Sequence, residues 1–174
     1  YQDVGALRTA LLTSWNHGAA LVVYAGHASP WQWGWTGPNE AAAHLFHLYD
    51  ADSLGNGERL PIVLSLTCRS GDVFNPTLQA TDERLLLRRE GGIAAALSPV
   101  GSGVNRGHTL FGSAVVAALV HGATLGAAHQ AGLEALARSE HDLDLAFGYQ
   151  LLGDPDLSLP GAMDRTLFLP LITR

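Results

Sequence analysis

Lysine is absent from this chain: its ten cationic residues are all arginine, and sixteen acids against them leave a net charge of −6. No basic run gathers the arginines, which excludes nucleic acid as a partner, since phosphate recognition needs clustered positive charge. A lone cysteine, Cys68, rules out an internal disulfide and any multi-thiolate zinc site. No apolar stretch approaches the roughly twenty residues that a membrane-spanning helix requires. Nor does a signal-like succession of basic, apolar and small residues follow Tyr1. A start at tyrosine instead of methionine makes the chain read as a piece of a longer product, processed or cut.

What remains is 174 residues, 47% of them hydrophobic, enough apolar material for one domain with a sizeable core. Apolar residues at helical spacing over 4–12 predict a helix ending near Asn16-His17-Gly18. Residues 19–25 form a short continuous apolar run, as a strand buried on both faces requires. A loop rich in Gly, Pro and Trp covers 26–38, Asn39 can cap a helix over 40–49, and 50–59 reads as a polar turn. The pattern then recurs, with a strand over 60–67, a helix over 81–90 and a strand over 93–97. A Gly/Ser-rich loop at 98–107 precedes helices over 109–120 and 124–139, and 148–152 predicts a short fourth strand at one edge. This alternation argues for an α/β fold, a mostly parallel sheet between two helical layers. Three parallel strands make a narrow sheet. It looks open on its N-terminal side, as though earlier strands lay elsewhere in the parent protein.

Ligands of open parallel sheets sit beyond the carboxyl ends of the strands. His27 follows the first strand by two residues and Cys68 follows the second directly. If those strands are neighbours, imidazole and thiol emerge side by side. A thiol held as thiolate is a nucleophile, a nearby His can give and take the proton, and turn amides can hold an oxyanion. That chemistry is acyl transfer through a thioester. On residue type alone the plain alternative is the commoner one: a lone Cys at a strand end is usually a small buried hydrophobe.

Other signals have plainer readings. Asp50–Glu58 has some oxygens of a calcium loop, but Leu54 and Pro61 stand where ligands belong, which favours a polar turn. His44 and His47, three apart on the expected helix with Asp50 beyond, find no matching third metal ligand. Gly101-Ser102-Gly103 has no Lys and fits no phosphate-loop pattern. No metal or cofactor is expected. Trp31, Trp33 and Trp35 alternate in a loop, where they either cover the His turn as packing or line a substrate cleft.

Around these residues the sequence resembles the gingipain-like cysteine peptidases, peptidase family C25, which share the caspase-like fold. Four blocks carry the likeness, in order over roughly residues 15–160. They are Tyr24-Ala25-Gly26-His27-Ala28-Ser29 with the tryptophans following, the strand into Cys68-Arg69-Ser70-Gly71-Asp72 with Phe74, the strand Gly91–Ser98, and Gly153-Asp154-Pro155-Asp156-Leu157. The resemblance implies a peptidase core over 1–160 and a C-terminal tail over 161–174. It implies Cys68 as nucleophile, His27 as general acid/base, and an oxyanion hole from the backbone N–H groups of Cys68 and Ala28. The family has glycine at the last position, so Ala28 requires backbone angles that an L-residue tolerates. Leu66, Ser98 and the loop to Val104 would lie near the substrate pocket, along with Trp31, Trp33 and Trp35, and no acid stands there to select a basic residue.

The family's first strands have no counterpart before Tyr1, so the implied partners are a polypeptide substrate and an N-terminal segment of the same precursor that completes the sheet. A secreted or cell-surface bacterial setting and a zymogen stage with self-processing follow from the same resemblance. The Leu-Pro-Leu-bearing end of the chain is similar to tails of secreted bacterial proteins. Two alternatives stand beside it: a CHAT-type caspase-like peptidase using the same pair, and a non-catalytic scaffold of the same fold.

Overall fold

The computed structural model describes residues 3–34, 44–139 and 143–160. In chain order, helix α1 (Val4–Gly18) leads into strand β1 (Leu21–Ala25). Strands β2 (Ala28–Ser29), β3 (Gln32–Trp33) and β4 (Phe46–His47) come next, then a 3-10 helix at Leu48–Ser53 and strand β5 (Ile62–Leu66). Helix α2 (Thr81–Leu86), strand β6 (Ala95–Pro99) and helices α3 (Asn105–Val120), α4 (Leu125–Ala137) and α5 (Leu143–Gly148) precede the last strand, β7 (Tyr149–Gly153). The main sheet runs β1-β5-β6-β7, parallel across the first three strands and antiparallel at β7. Among the described residues β1 is paired on one side only.

Alternation along the strands divides the apolar side chains between two cores. Ile62, Leu64, Ala95 and Leu97 face α3 and α4, where Phe111, Val115 and Leu125 are fully buried. Val63, Ala96 and Tyr24 face the opposite layer, built from Trp15 of α1, Leu85 of α2 and the aromatic residues Trp33 and Phe46 of the small sheet. Both faces are therefore covered, as parallel strands of near-continuous apolar sequence demand. No helix among the described residues is long and apolar enough to cross a membrane.

Three expectations are corrected. The helix over 40–49 does not form where the chain is described: Phe46–His47 is a strand, and a 3-10 helix begins at Leu48. Phe46 and Leu48 are buried with His47 between them half-buried, an alternation that suits a strand, and Phe46 joins the aromatic stack through pairing with Trp33. Asn39 and residues 40–43 lie outside the described residues, as does the tail over 161–174. The loop over 26–38 contains a β2–β3 hairpin, and α5 was not anticipated. Helix α2 also stops four residues before Glu90.

The reason for the early stop is a hook at Gly91-Gly92, with φ of +142° and +99°. Asn56 clasps it by accepting from the Gly92 amide at 2.8 Å and donating to the Gly92 carbonyl at 3.0 Å. A Cβ on Gly92 would run into the Leu85 carbonyl oxygen. Gly92→Ala is therefore expected to destabilise the fold by about 1–3 kcal/mol, read as a lowered denaturation midpoint with unchanged slope.

Candidate active site

Parallel pairing of β1 with β5 sets Ala25 opposite Leu66, and the ladder runs one bond further, from the Gly26 amide to the Leu66 carbonyl at 3.3 Å. Beyond it the Thr67 hydroxyl donates to the Gly26 carbonyl at 2.7 Å. His27 and Cys68 are the next residue on each strand. The structure thus brings the two onto one rim, at the carboxyl ends of adjacent strands. Removing the Thr67 hydroxyl as Thr67→Val is expected to cost about 1 kcal/mol in stability. It should also slow alkylation of Cys68, because the clamp between the two tips is gone.

The turn after β5 is held on its other side by the exit of β6. The Arg69 amide donates to the Gly101 carbonyl at 3.0 Å, and the Gly71 amide donates to Pro99 at 3.1 Å. The Cys68 thiol, half-buried, donates to the Gly103 carbonyl at 3.8 Å. Arg69 has φ +56°, the one positive value among described residues other than glycine. Its guanidinium folds back on Asp72, with Nη2 at 2.7 Å and Nε at 3.2 Å from Oδ2. A left-handed non-glycine residue is tolerated only where its surroundings over-determine it, and such residues concentrate at functional sites. Gln150 of β7 adds a bond to the Gly71 carbonyl.

The histidine turn is anchored from below. Tyr24 donates to the His27 carbonyl at 2.6 Å, and the Gly34 amide is shared between that carbonyl and the Tyr24 oxygen, both at 2.8 Å. Burial pushes the Tyr24 pKa up to about 12, against the pull of the Gly34 N–H, so the phenol stays protonated as a donor. A Cβ on Gly26 would approach the Tyr24 hydroxyl to 2.7 Å, so only glycine leaves room for it. Trp33 lies parallel on the Tyr24 ring at 4.6 Å. The His27 residue itself is exposed.

A family model for peptidase family C25 matches residues 1–160. The chain belongs to peptidase family C25. Its fold is similar to that of the Arg-specific cysteine proteinase gingipain R (RgpB), at 20% identity and TM-score 0.70, over 87% of this chain and 36% of that one. A complex of the Porphyromonas gingivalis RgpB pro- and mature domains matches at 19% identity and TM-score 0.70, over 87% and 37%. A further structure, described as a protease, matches at 15% identity and TM-score 0.70, over 93% and 40%. The chain therefore spans well under half the length of the solved chains it resembles. No curated protein matches it.

Within this C25 chain the other expected site residues divide. Ala28 opens β2, and its φ is negative like that of every described non-glycine residue except Arg69, so alanine is tolerated where the family has glycine. Trp31 is exposed at the hairpin, whereas Trp33 is 1% exposed and belongs to the core; Trp35 lies outside the described residues. Leu66 turns into the sheet–helix core, against Gly112 of α3. Ser98 is fully buried, its hydroxyl bonded to Asp82, and offers no surface to a substrate. The expected contact of Ser98 with a substrate is therefore not what the packing gives, whereas Leu66 stays half-buried.

His44 and His47 share no helix; their rings meet edge to face at 5.5 Å, and burial together with His44 lowers the His47 pKa. Among the described residues no group of three or more His, Cys, Asp or Glu side chains is placed to hold a metal ion. Asp50 and Asp52 spend their charge on Arg8 and on Arg84 with Arg88. Sequence reasoning missed Tyr24, Thr67 and Asp82. A tyrosine inside an apolar strand was a usable signal, because a buried phenol needs a partner for its hydroxyl.

Proposed function

We propose that this chain carries the reacting groups of a cysteine endopeptidase, with Cys68 as nucleophile and His27 as general acid/base. The observation that carries the reading is the Thr67–Gly26 clamp, which makes the two residues consecutive neighbours across adjacent strand tips. Membership of family C25 and a gingipain-like fold support it. In the proposed reaction His27 takes the Cys68 thiol proton as the sulfur forms a bond to the scissile carbonyl carbon, and the backbone N–H groups of Cys68 and Ala28 hold the oxygen as it becomes an anion. The C–N bond then breaks as His27 protonates the leaving amine. Water, deprotonated by His27, attacks the thioester and releases the carboxylate and the free thiol.

The substrate is a polypeptide, and cleavage of the precursor itself belongs to the same reading. Since β1 is paired on one side only among the described residues, we place an N-terminal segment of the same precursor along its open edge, where its N–H and C=O groups are available for pairing. The setting proposed is secreted or at the bacterial cell surface, with a zymogen stage.

Thiol reactivity tests the pair. Iodoacetamide should modify Cys68 quickly near neutral pH, and His27→Ala should slow that reaction sharply. A sluggish thiol indifferent to His27 would favour a non-catalytic scaffold, with Cys68 serving as packing against Gly103.

A further inference from the structure

Beneath the Cys68 turn lies an acid for which the proposed reaction has no use. Asp82, in the first turn of α2, is completely buried. Its Oδ2 accepts from the Ser98 hydroxyl at 2.5 Å and from the Ser65 hydroxyl at 2.7 Å, while its own amide donates to the Ser70 carbonyl at 3.1 Å. These three partners come from three different places. Ser65 stands on β5 three residues before the cysteine, Ser70 lies two residues after it, and Ser98 is on β6, whose exit loop supplies the Gly101 and Gly103 carbonyls to Arg69 and Cys68. One residue therefore ties both ends of the strained turn to the strand beside it.

An acid early in a helix is ordinarily an exposed complement to the helix dipole. Sealing a carboxyl away from water is costly unless hydrogen bonds compensate it. Here burial raises the Asp82 pKa, and the serine hydroxyls oppose that rise. A group kept in such a place holds something together, and what surrounds this one is the nucleophile turn.

We propose that Asp82 is the positioning residue of Cys68, a hydrogen-bonded strut that keeps the left-handed turn at Arg69, and with it the thiol and the Cys68 amide, in reacting geometry. The proposal rests on the reading of Cys68 as the nucleophile. Asp82 touches no substrate and acts through the turn alone.

The experiment compares Asp82→Ala, which leaves both serine hydroxyls without their acceptor, with Asp82→Asn, whose side-chain oxygen can still receive them. Ser65→Ala and Ser98→Ala each remove one donor and keep the carboxyl. Peptide hydrolysis, iodoacetamide modification of Cys68 and thermal midpoint are measured on each intact variant. Asp82→Ala should lower kcat and the alkylation rate by about tenfold or more with KM little changed, as misplacement of a reacting group does. Asp82→Asn should recover both rates to within roughly threefold, and Asp82→Ala with Ser65→Ala should be no worse than Asp82→Ala alone, because the groups act as one unit.

If Asp82→Ala does not fold, the two serine variants carry the test through the same rates. Wild-type kcat and alkylation in a folded Asp82→Ala, or in both serine variants, would overturn the proposal, however far the midpoint falls. Should the unmutated protein, with its N-terminal segment present, cleave no peptide, the peptidase reading fails by itself. The alkylation series then still decides whether Asp82 positions the thiol.

Discussion

Cys68→Ala is expected to abolish peptide hydrolysis, with kcat down by roughly 100,000-fold, and His27→Ala to lower it by about 100- to 10,000-fold. The first figure is large because no other cysteine exists in the chain to take over the attack. The second is smaller because water can protonate a leaving amine, only less well than a positioned imidazole. The geometry adds a sharper expectation. Since Thr67 clamps the strand tips at 2.7 Å, the two residues should behave as a unit, and the double variant should be scarcely worse than Cys68→Ala alone. Steady-state kinetics on a peptide, with folding checked by circular dichroism, measures all three. Appreciable hydrolysis by Cys68→Ala would sink the nucleophile assignment.

The parts of this fold that were legible in the sequence are those where local pattern and tertiary role agree. β5 and β6 are buried over nearly all their residues and β1 over much of its length, so their sequences are mainly apolar, interrupted by Ser65 and Ser98, and bounded by Gly, Pro and polar turns. α1, α3 and α4 have the helical spacing their burial requires. Residues 44–49 went the other way because their apolar residues suit a helix by themselves, while the Trp15, Trp33 and Tyr24 rings supply a surface that rewards an extended Phe46. That surface is assembled from three distant segments and is invisible to any local pattern.

The candidate pair was legible for a simple reason: the strand ends predict where side chains emerge, and the family blocks surround both. The supports beneath it were not. Asp82 reads as a dipole complement at a helix start and Ser65 as a polar interruption in a strand; only the packing of α2 under β5 and β6 gives them a common oxygen. Ser98 shows the converse error. Proximity in sequence to a substrate loop says nothing of which way a side chain points, and this one points down to Asp82.

Trp33→Ala is expected to cost about 3–5 kcal/mol of stability, among the largest effects available to a single core substitution in this chain. The ring is 1% exposed and packs at once on Tyr24 (4.6 Å), Phe46 (5.3 Å) and Trp15 (6.0 Å). Its removal leaves a cavity whose walls belong to β1, β4 and α1, and the two strands are too well tied by sheet pairing to collapse into it. The loss should reach the site as well. Tyr24 keeps its hydroxyl on the His27 carbonyl because Trp33 fixes the ring from one side, so the histidine turn should loosen with the core. Urea denaturation measures the first effect, and Cys68 alkylation at a temperature where the variant stays folded measures the second. Two comparisons make the result specific. Trp33→Phe should lose much less, since the Trp33 Nε1 has no hydrogen-bond partner among the described residues and its removal forfeits only packing. Trp31→Ala, at an exposed position two residues earlier, should leave stability within about 0.5 kcal/mol of the parent. Equal losses at Trp31 and Trp33 would mean that the aromatic stack does not support the histidine turn.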